Sequence, residues 1–211
     1  MLKEDFYIEF KKTHTKSFFS FSEIPPFKNF SFEKLTEQNF EQLYLLFEGD
    51  SSPFVDERFK SYEGAKEHAR FISICGAFSP KHGCQDWLFK LNNEYAGILH
   101  LYDLSRETFA DHHKQAWIGF ATAEKYRKSG VSFRAVNYFI NYIFDNYKVI
   151  DSIYSMTLHE NKIARAFIKK CGFALDEADR LSKDHTFFVR KRDEVENDFV
   201  VNSFDETEWT W

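Results

Sequence analysis

The chain has 211 residues, a length that suits one mixed domain with an extension. Hydrophobic residues make up 43% and aromatics 19%, with 26 Phe, so there is ample apolar surface for a packed core and overall disorder is excluded. A formal charge of -5 gives no basic footprint for nucleic acid, and Cys75, Cys84 and Cys171 are too few and too scattered for a disulfide framework or a zinc site.

The opening MLKEDFYIEFKK mixes acidic residues with apolar ones and lacks the continuous apolar stretch of a signal peptide. No apolar run reaches the roughly 18 residues of a membrane span, so a cytoplasmic protein without a membrane partner is expected. Residues 1–28 read as a Phe-rich extension: Phe6, Ile8 and Phe10 alternate, and Phe18, Phe19 and Phe21 precede Pro25-Pro26. So much Phe avoids water by packing, with its own domain the favoured surface and a second subunit, hence a homodimer, the other.

The domain proper is expected over 29–192. FSFEKL (30–35) reads as a strand, Thr36 as a helix N-cap, and Phe40, Leu43, Leu46 and Phe47 as a helical stripe. A second helix is predicted over 62–74, with Ala65, Ala69 and Ile72 on one side and Gly64 weakening it. Residues 87–91 and 95–102 flank the turn 92–94 as a hairpin, and 116–122 makes a third strand after a charged loop with Asp111, His112, His113 and Lys114. After Gly130 the apolar period lengthens to about 3.6, with Val136, Phe139, Ile140, Ile143, Phe144 and Tyr147 on one face. A strand over 149–158 follows, and then a helix over 162–171 with Ile163, Phe167, Ile168 and Cys171 inward and Gly172 as its stop. Strands at 173–175 and 185–190 complete the order β-α-α-β-β-β-α-β-α-β-β; beyond Arg192 runs an acidic tail, 193–211, ending in Trp209 and Trp211.

WIGFATAEKYRKSGVSFRAVNYFINYIF followed by HENKIARAFIKKCGF resembles the GNAT N-acetyltransferase superfamily, in its RimJ and RimL type branch. The resemblance spans residues 30 to about 190 in element order and is sharpest over 117–173. It implies an α+β (mixed α/β) fold: a central, mostly antiparallel twisted sheet of about six to seven strands, flanked by about four helices and splayed between the fourth and fifth core strands. It also implies a transferase that moves acetyl from acetyl-coenzyme A (acetyl-CoA) to a primary amine, either a protein N-terminal amine or a small-molecule amine.

The loop has its own physical rationale. Arg127, Lys128, Ser129, Gly130, Val131 and Ser132 stand at a strand-to-helix transition, where unpaired N–H groups and the helix dipole attract an anion such as the cofactor's pyrophosphate. An ordinary basic turn is the plain alternative, and the flanking elements favour the anion loop. A nucleotide-triphosphatase loop fits less well, because G-x-x-x-x-G-K-[ST] is absent, and no metal is implied. By resemblance, Phe120, Ala121, Thr122 and Ala123 end the splayed strand that lines the pantetheine arm, with Asn161, Ala164 and Phe167 beside it; Asn161 is equally suited to capping its helix.

Acetyl transfer needs a neutral amine, a donor for the developing oxyanion and a proton for the leaving thiolate. Candidate bases are His159, ranked first, then Glu124 and His100, with Asp103 and His113 below them. Where the family places Ser or Tyr as acid, this chain carries Ala164 and Ile168. A catalytically silent acyl-CoA binding or sensing module is therefore the rival expectation, and a structural interaction protein a third.

Overall fold

The computed structural model describes residues 23–78, 84–102, 115–148, 150–176 and 183–192. Most of the extension, the acidic tail, Asp103 and the loop with Asp111, His112, His113 and Lys114 lie outside the described residues. Among the described residues, seven strands form one sheet in the order β1-β2-β3-β4-β5-β7-β6, and four α-helices cover its two faces.

β1 (Phe30–Lys34) pairs antiparallel with β2 (Gln85–Leu91), and β2 with β3 (Glu94–Tyr102). Asn92 and Asn93 both have positive φ, 51° and 68°, which is the mirror-image turn that matches strand twist and that Asn tolerates. β3 pairs antiparallel with β4 (Gln115–Thr122), and β4 runs parallel to β5 (Ser152–Leu158). β5 pairs antiparallel with β7 (His185–Lys191), which carries the two-residue β6 (Ala174–Leu175) at the edge.

α1 (Phe40–Phe47) and α2 (Tyr62–Phe78) cover one face, burying Leu43, Phe47, Ala65 and Ala69 against Leu88 and Ile98. α3 (Val131–Asn146) and α4 (Lys162–Lys170) cover the other, burying Phe139, Ile143 and Ile168 against Trp87, Leu99, Ile153 and Phe188. The parity of β2 thus sends Trp87 and Phe89 to one core and Leu88 to the other. From the extension, Ile24 is buried in the α3 core and the Phe27 ring stacks on Tyr138 at 4.7 Å, so residues 23–28 pack on their own domain.

Two local expectations are corrected. The boundary residue of α1 is Asn39, not Thr36: the Thr36 hydroxyl accepts from Gln38 N inside a turn, while Asn39 Oδ1 accepts from Thr36 N at 2.8 Å. Ile163 points outward and is 78% exposed, because at 100° per residue it stands about 140° from buried Ile168, whereas Cys171 follows at helical spacing. Helix α2 also runs to Phe78 despite Gly64. A Cβ there would meet the Arg58 carbonyl oxygen at 2.5 Å, so glycine answers a close approach. Gly172, at φ 82°, closes α4 as expected, with Phe173 N donating to Ile168 O and Gly172 N to Lys169 O.

Candidate active site

β4 and β5 pair only over Gln115↔Ser152, Ala116↔Ile153 and Trp117↔Tyr154, then separate although both strands continue. On its other edge β4 stays in register with β3 as far as Thr122↔Gly97. Ala123 N donates to Ala96 O at 2.9 Å just beyond the strand end. Bonded pairs in an antiparallel ladder fall on every second residue, so Ala121 and Gly119 address β3 while Ile118, Phe120 and Thr122 direct their backbone groups toward β5. The Thr122 carbonyl accepts Arg127 Nε at 3.1 Å, which leaves the Phe120 N–H and C=O facing the gap with no strand partner among the described residues. The rings of Phe120 and Phe167 meet on the α4 side at 4.9 Å between centroids.

A short 3₁₀ turn (Glu124–Tyr126) leads from β4 into the loop. Lys128 and Gly130 both have left-handed backbones, φ 64° and 76°, and such reversals turn successive N–H groups toward one side. As the residue before α3, Gly130 has no side-chain cap, and the amides of Lys128, Gly130 and Ser132 have no acceptor among the described residues. A Cβ built on Gly130 would meet nothing within 4 Å, so the concavity is open.

Four side chains assigned to the cofactor on sequence, those of Arg127, Ser132, Thr122 and Asn161, are held by the protein itself. Arg127 donates to the buried carboxylate of Asp50 as well as to Thr122 O, tying the loop to the segment after α1. Burial alone would raise the Asp50 carboxyl, but the Arg127 hydrogen bond holds it below the usual carboxylate range. The Ser132 and Thr122 hydroxyls lie 2.7 Å apart, linking the first turn of α3 to the end of β4. Asn161 caps α4 by accepting Ala164 N at 3.0 Å.

The three candidate bases stand in different places. His159 Nδ1 lies 2.7 Å from Thr186 Oγ1 of β7, which turns its ring to the side of β5 away from β4. Glu124 is exposed and lines a cleft with Gln42, Leu46, Asn93 and Tyr95, on the β3 side of β4. His100, on the α1/α2 face of β3, packs against β4: a Cβ on Gly119 would stand 3.3 Å from its Cδ2. Its Nδ1 lies 2.8 Å from Oδ2 of buried Asp86, and His68 Nε2 of α2 lies 2.6 Å from the same oxygen. These three residues bring their nitrogen and oxygen atoms within 4.8 Å of one another, the tightest His and carboxylate grouping among the described residues.

Asp86, His68 and Asp50 escape a linear reading of the sequence. The signals were weak: His68 shares the α2 stripe with Ala65, Ala69 and Ile72, and Asp86 has the inward parity of Leu88. Only the β2–β3 register, which pairs Asp86 with His100, shows that the two polar residues meet.

No helix among the described residues is long and apolar enough to cross a membrane. No curated protein matches the chain by sequence. Among solved structures, the ribosomal L7/L12 α-N-protein acetyltransferase RimL in complex with coenzyme A is 16% identical with a TM-score of 0.66, over 82% of this chain and 99% of that one. The microcin C7 self-immunity acetyltransferase MccE, in complex with acetyl-CoA and AMP, is 19% identical with a TM-score of 0.59, over 78% and 93%. The Campylobacter jejuni N-acetyltransferase PseH is 18% identical with a TM-score of 0.57, over 78% and 99%. The sequence itself matches the acetyltransferase (GNAT) family over residues 35–173, from the end of β1 past the end of α4. On that match, which spans most of the chain, the protein belongs to the GNAT acetyltransferase family.

Proposed function

We propose that this protein transfers acetyl from acetyl-CoA to a primary amine, with the pyrophosphate on the amides of Lys128, Gly130 and Ser132 and the thioester beside Phe120 N–H. The observation that carries the reading is the backbone geometry: open N–H groups at the start of α3 continue into a free β4 edge. Phosphate oxygens would accept from the loop, the amides of the pantetheine arm would pair along β4 as a missing strand, and the Phe120 N–H would donate to the carbonyl oxygen as it becomes an oxyanion. Arg127 contributes by fixing the loop through Asp50 and Thr122, and Phe120 with Phe167 supplies one apolar wall.

Attack on the thioester needs little covalent help from the protein, so placement does most of the work. His159, Glu124 and His100 remain the candidates to take the amine's proton. Ala164 and Ile168 offer no proton to the thiolate, which leaves water or the protonated base to do so. A protein α-amine, as on the substrate in RimL's name, is the acceptor we favour over a small-molecule amine.

Calorimetry with coenzyme A tests the binding half. The wild-type chain should bind, and Gly130→Asp should bind at least about 100-fold more weakly, because a carboxylate would face the phosphates and an L side chain would resist the left-handed backbone. Equal affinity in that variant would remove the loop assignment.

A further inference from the structure

The buried carboxylate beneath His100 deepens this reading, and rests on it. Asp86 is 2% exposed in its side chain, yet its Oδ2 serves two rings, His68 Nε2 at 2.6 Å and His100 Nδ1 at 2.8 Å. A fully buried carboxylate holding two imidazoles is uncommon in a core, and burial on its own would favour the neutral acid. The charge and hydrogen bond of His100, followed by those of His68, reverse this and hold the Asp86 carboxyl far below the usual carboxylate range.

The two histidines differ at their far nitrogens. Among the described residues His68 Nδ1 is buried with no partner, so a proton there would leave an unpaired N–H in the core; the ring therefore keeps its hydrogen on Nε2, toward Asp86. When neutral, His100 keeps its hydrogen on Nδ1 for the same oxygen, which puts the lone pair on Nε2. That nitrogen is bonded to Cδ2, the ring atom nearest a Cβ built on Gly119, so Nε2 belongs to the β4 side of the ring, away from Asp86; the far edge of β4 presents Phe120 N–H to the gap. The His100 side chain is 20% exposed, and no group among the described residues bonds Nε2. His159 is turned to β7, and Glu124 stands on the β3 side of β4.

We infer that His100 Nε2 takes the proton of the attacking amine, and that Asp86 and His68 are positioning residues that fix its tautomer and orientation. A protonated amine first gives one proton to solvent, directly or by way of Nε2, which is neutral again before the attack. The neutral nitrogen then bonds to the thioester carbon, whose π pair moves to the oxygen held by Phe120 N–H. Collapse breaks the C–S bond, the nitrogen's surplus proton passes to Nε2, and the thiolate leaves with the C–S pair and is protonated by the imidazolium or by water. No oxidant or metal is needed. The titratable groups facing His100 are Asp86 from β2 and His68 from α2, with Asp56 and Arg58, an ion pair at 2.6 Å, behind them beside the Phe59 ring stacked on His100 at 5.7 Å.

The full chain labelled with ¹⁵N-histidine tests this by two-bond ¹⁵N–¹H correlation, which reports each tautomer without any acceptor. Neutral His100 should carry its hydrogen on Nδ1, and Asp86→Asn should shift it toward Nε2; an Nε2–H ring in the wild type overturns the inference. For turnover, acetyl-CoA is supplied with whichever member of a panel of peptide α-amines and polyamines reacts fastest. His100→Gln should lower kcat roughly 100-fold or more with coenzyme A affinity within about twofold of wild type. Asp86→Asn should shift the acid limb of the kcat/KM profile, with Asp86→Glu recovering part of the loss. Unchanged kcat in His100→Gln, or zinc or iron co-purifying at one ion per chain, would overturn it. Absence of coenzyme A binding in the wild type would instead remove the transferase reading, leaving the tautomer result standing on its own.

Discussion

Two regions beside β4 are built from different materials. Where β4 parts from β5 and leads into α3, the candidate site consists of main chain: a loop of open amides and a strand edge that β5 no longer pairs, with side chains such as Ser132 and Thr122 serving to hold them. On the α1/α2 side, the polar site consists of side chains from three separate elements meeting at one oxygen, Asp86 Oδ2. A backbone site tolerates many sequences so long as its dihedral angles survive, whereas a side-chain site fails with a single atom.

Truncations matched across the two regions should break this contrast if it is wrong. Asp86→Ala removes the shared partner of two rings inside the core, and about 3–5 kcal/mol of unfolding free energy should be lost in urea titrations. Gly130→Ala should lose only about 1–2 kcal/mol, for a left-handed backbone at an L residue, because its Cβ would meet nothing. Similar losses at the two positions would mean that the loop also carries the fold.

A finer test concerns the link between β4 and α3. Thr122→Val and Ser132→Ala each remove one hydroxyl of the 2.7 Å pair. The double-mutant cycle should return a coupling of about 0.5–1.5 kcal/mol. On the proposed function, coenzyme A affinity should change little in either single variant, since the loop's open amides and not these paired hydroxyls would face the anion. A tenfold fall in affinity in Ser132→Ala alone would show instead that its hydroxyl binds phosphate.

The same division explains what could be read in advance. Strand alternation, the 3.6-residue stripe of α3 and the R-x-x-G-x-small loop are local patterns, so the element order and the open loop were legible from the chain alone. Helix starts set by competing side chains were not: Thr36 and Asn39 are both capable caps, and the Asn39 bonds to Glu33 and Lys34 O settle the boundary at the second. Nor was the grouping of His68, Asp86 and His100, since 18 residues separate the first from the second and the β2–β3 register decides whether Asp86 meets His100. His100 was visible as a histidine in a strand; its partner was hidden because Asp86 sits just before an apolar run and looks like a turn residue.

Asp50 is the place where the α1/α2 face meets the loop before α3. It follows α1, is buried, and receives Arg127 from that loop, while its own Oδ1 accepts from Ser52 N at 2.9 Å. Its carboxyl is lowered in the folded protein, so the stabilisation is fully present above the unfolded carboxylate pKa of about 3.9 and is lost as pH falls through the lower folded value. Arg127 is partly exposed, and the pair should contribute only about 0.2–1 kcal/mol. Asp50→Asn should therefore flatten the acid side of the stability profile slightly while leaving neutral-pH stability within about 1 kcal/mol of wild type. Its effect on coenzyme A should be proportionally larger, a few-fold weaker binding, because a released Arg127 lets the loop sample geometries in which its amides no longer converge. If Asp50→Asn alters stability and leaves affinity untouched, the loop holds its shape through the Gly130 and Lys128 backbones alone, and the α1/α2 face has no part in shaping the anion site.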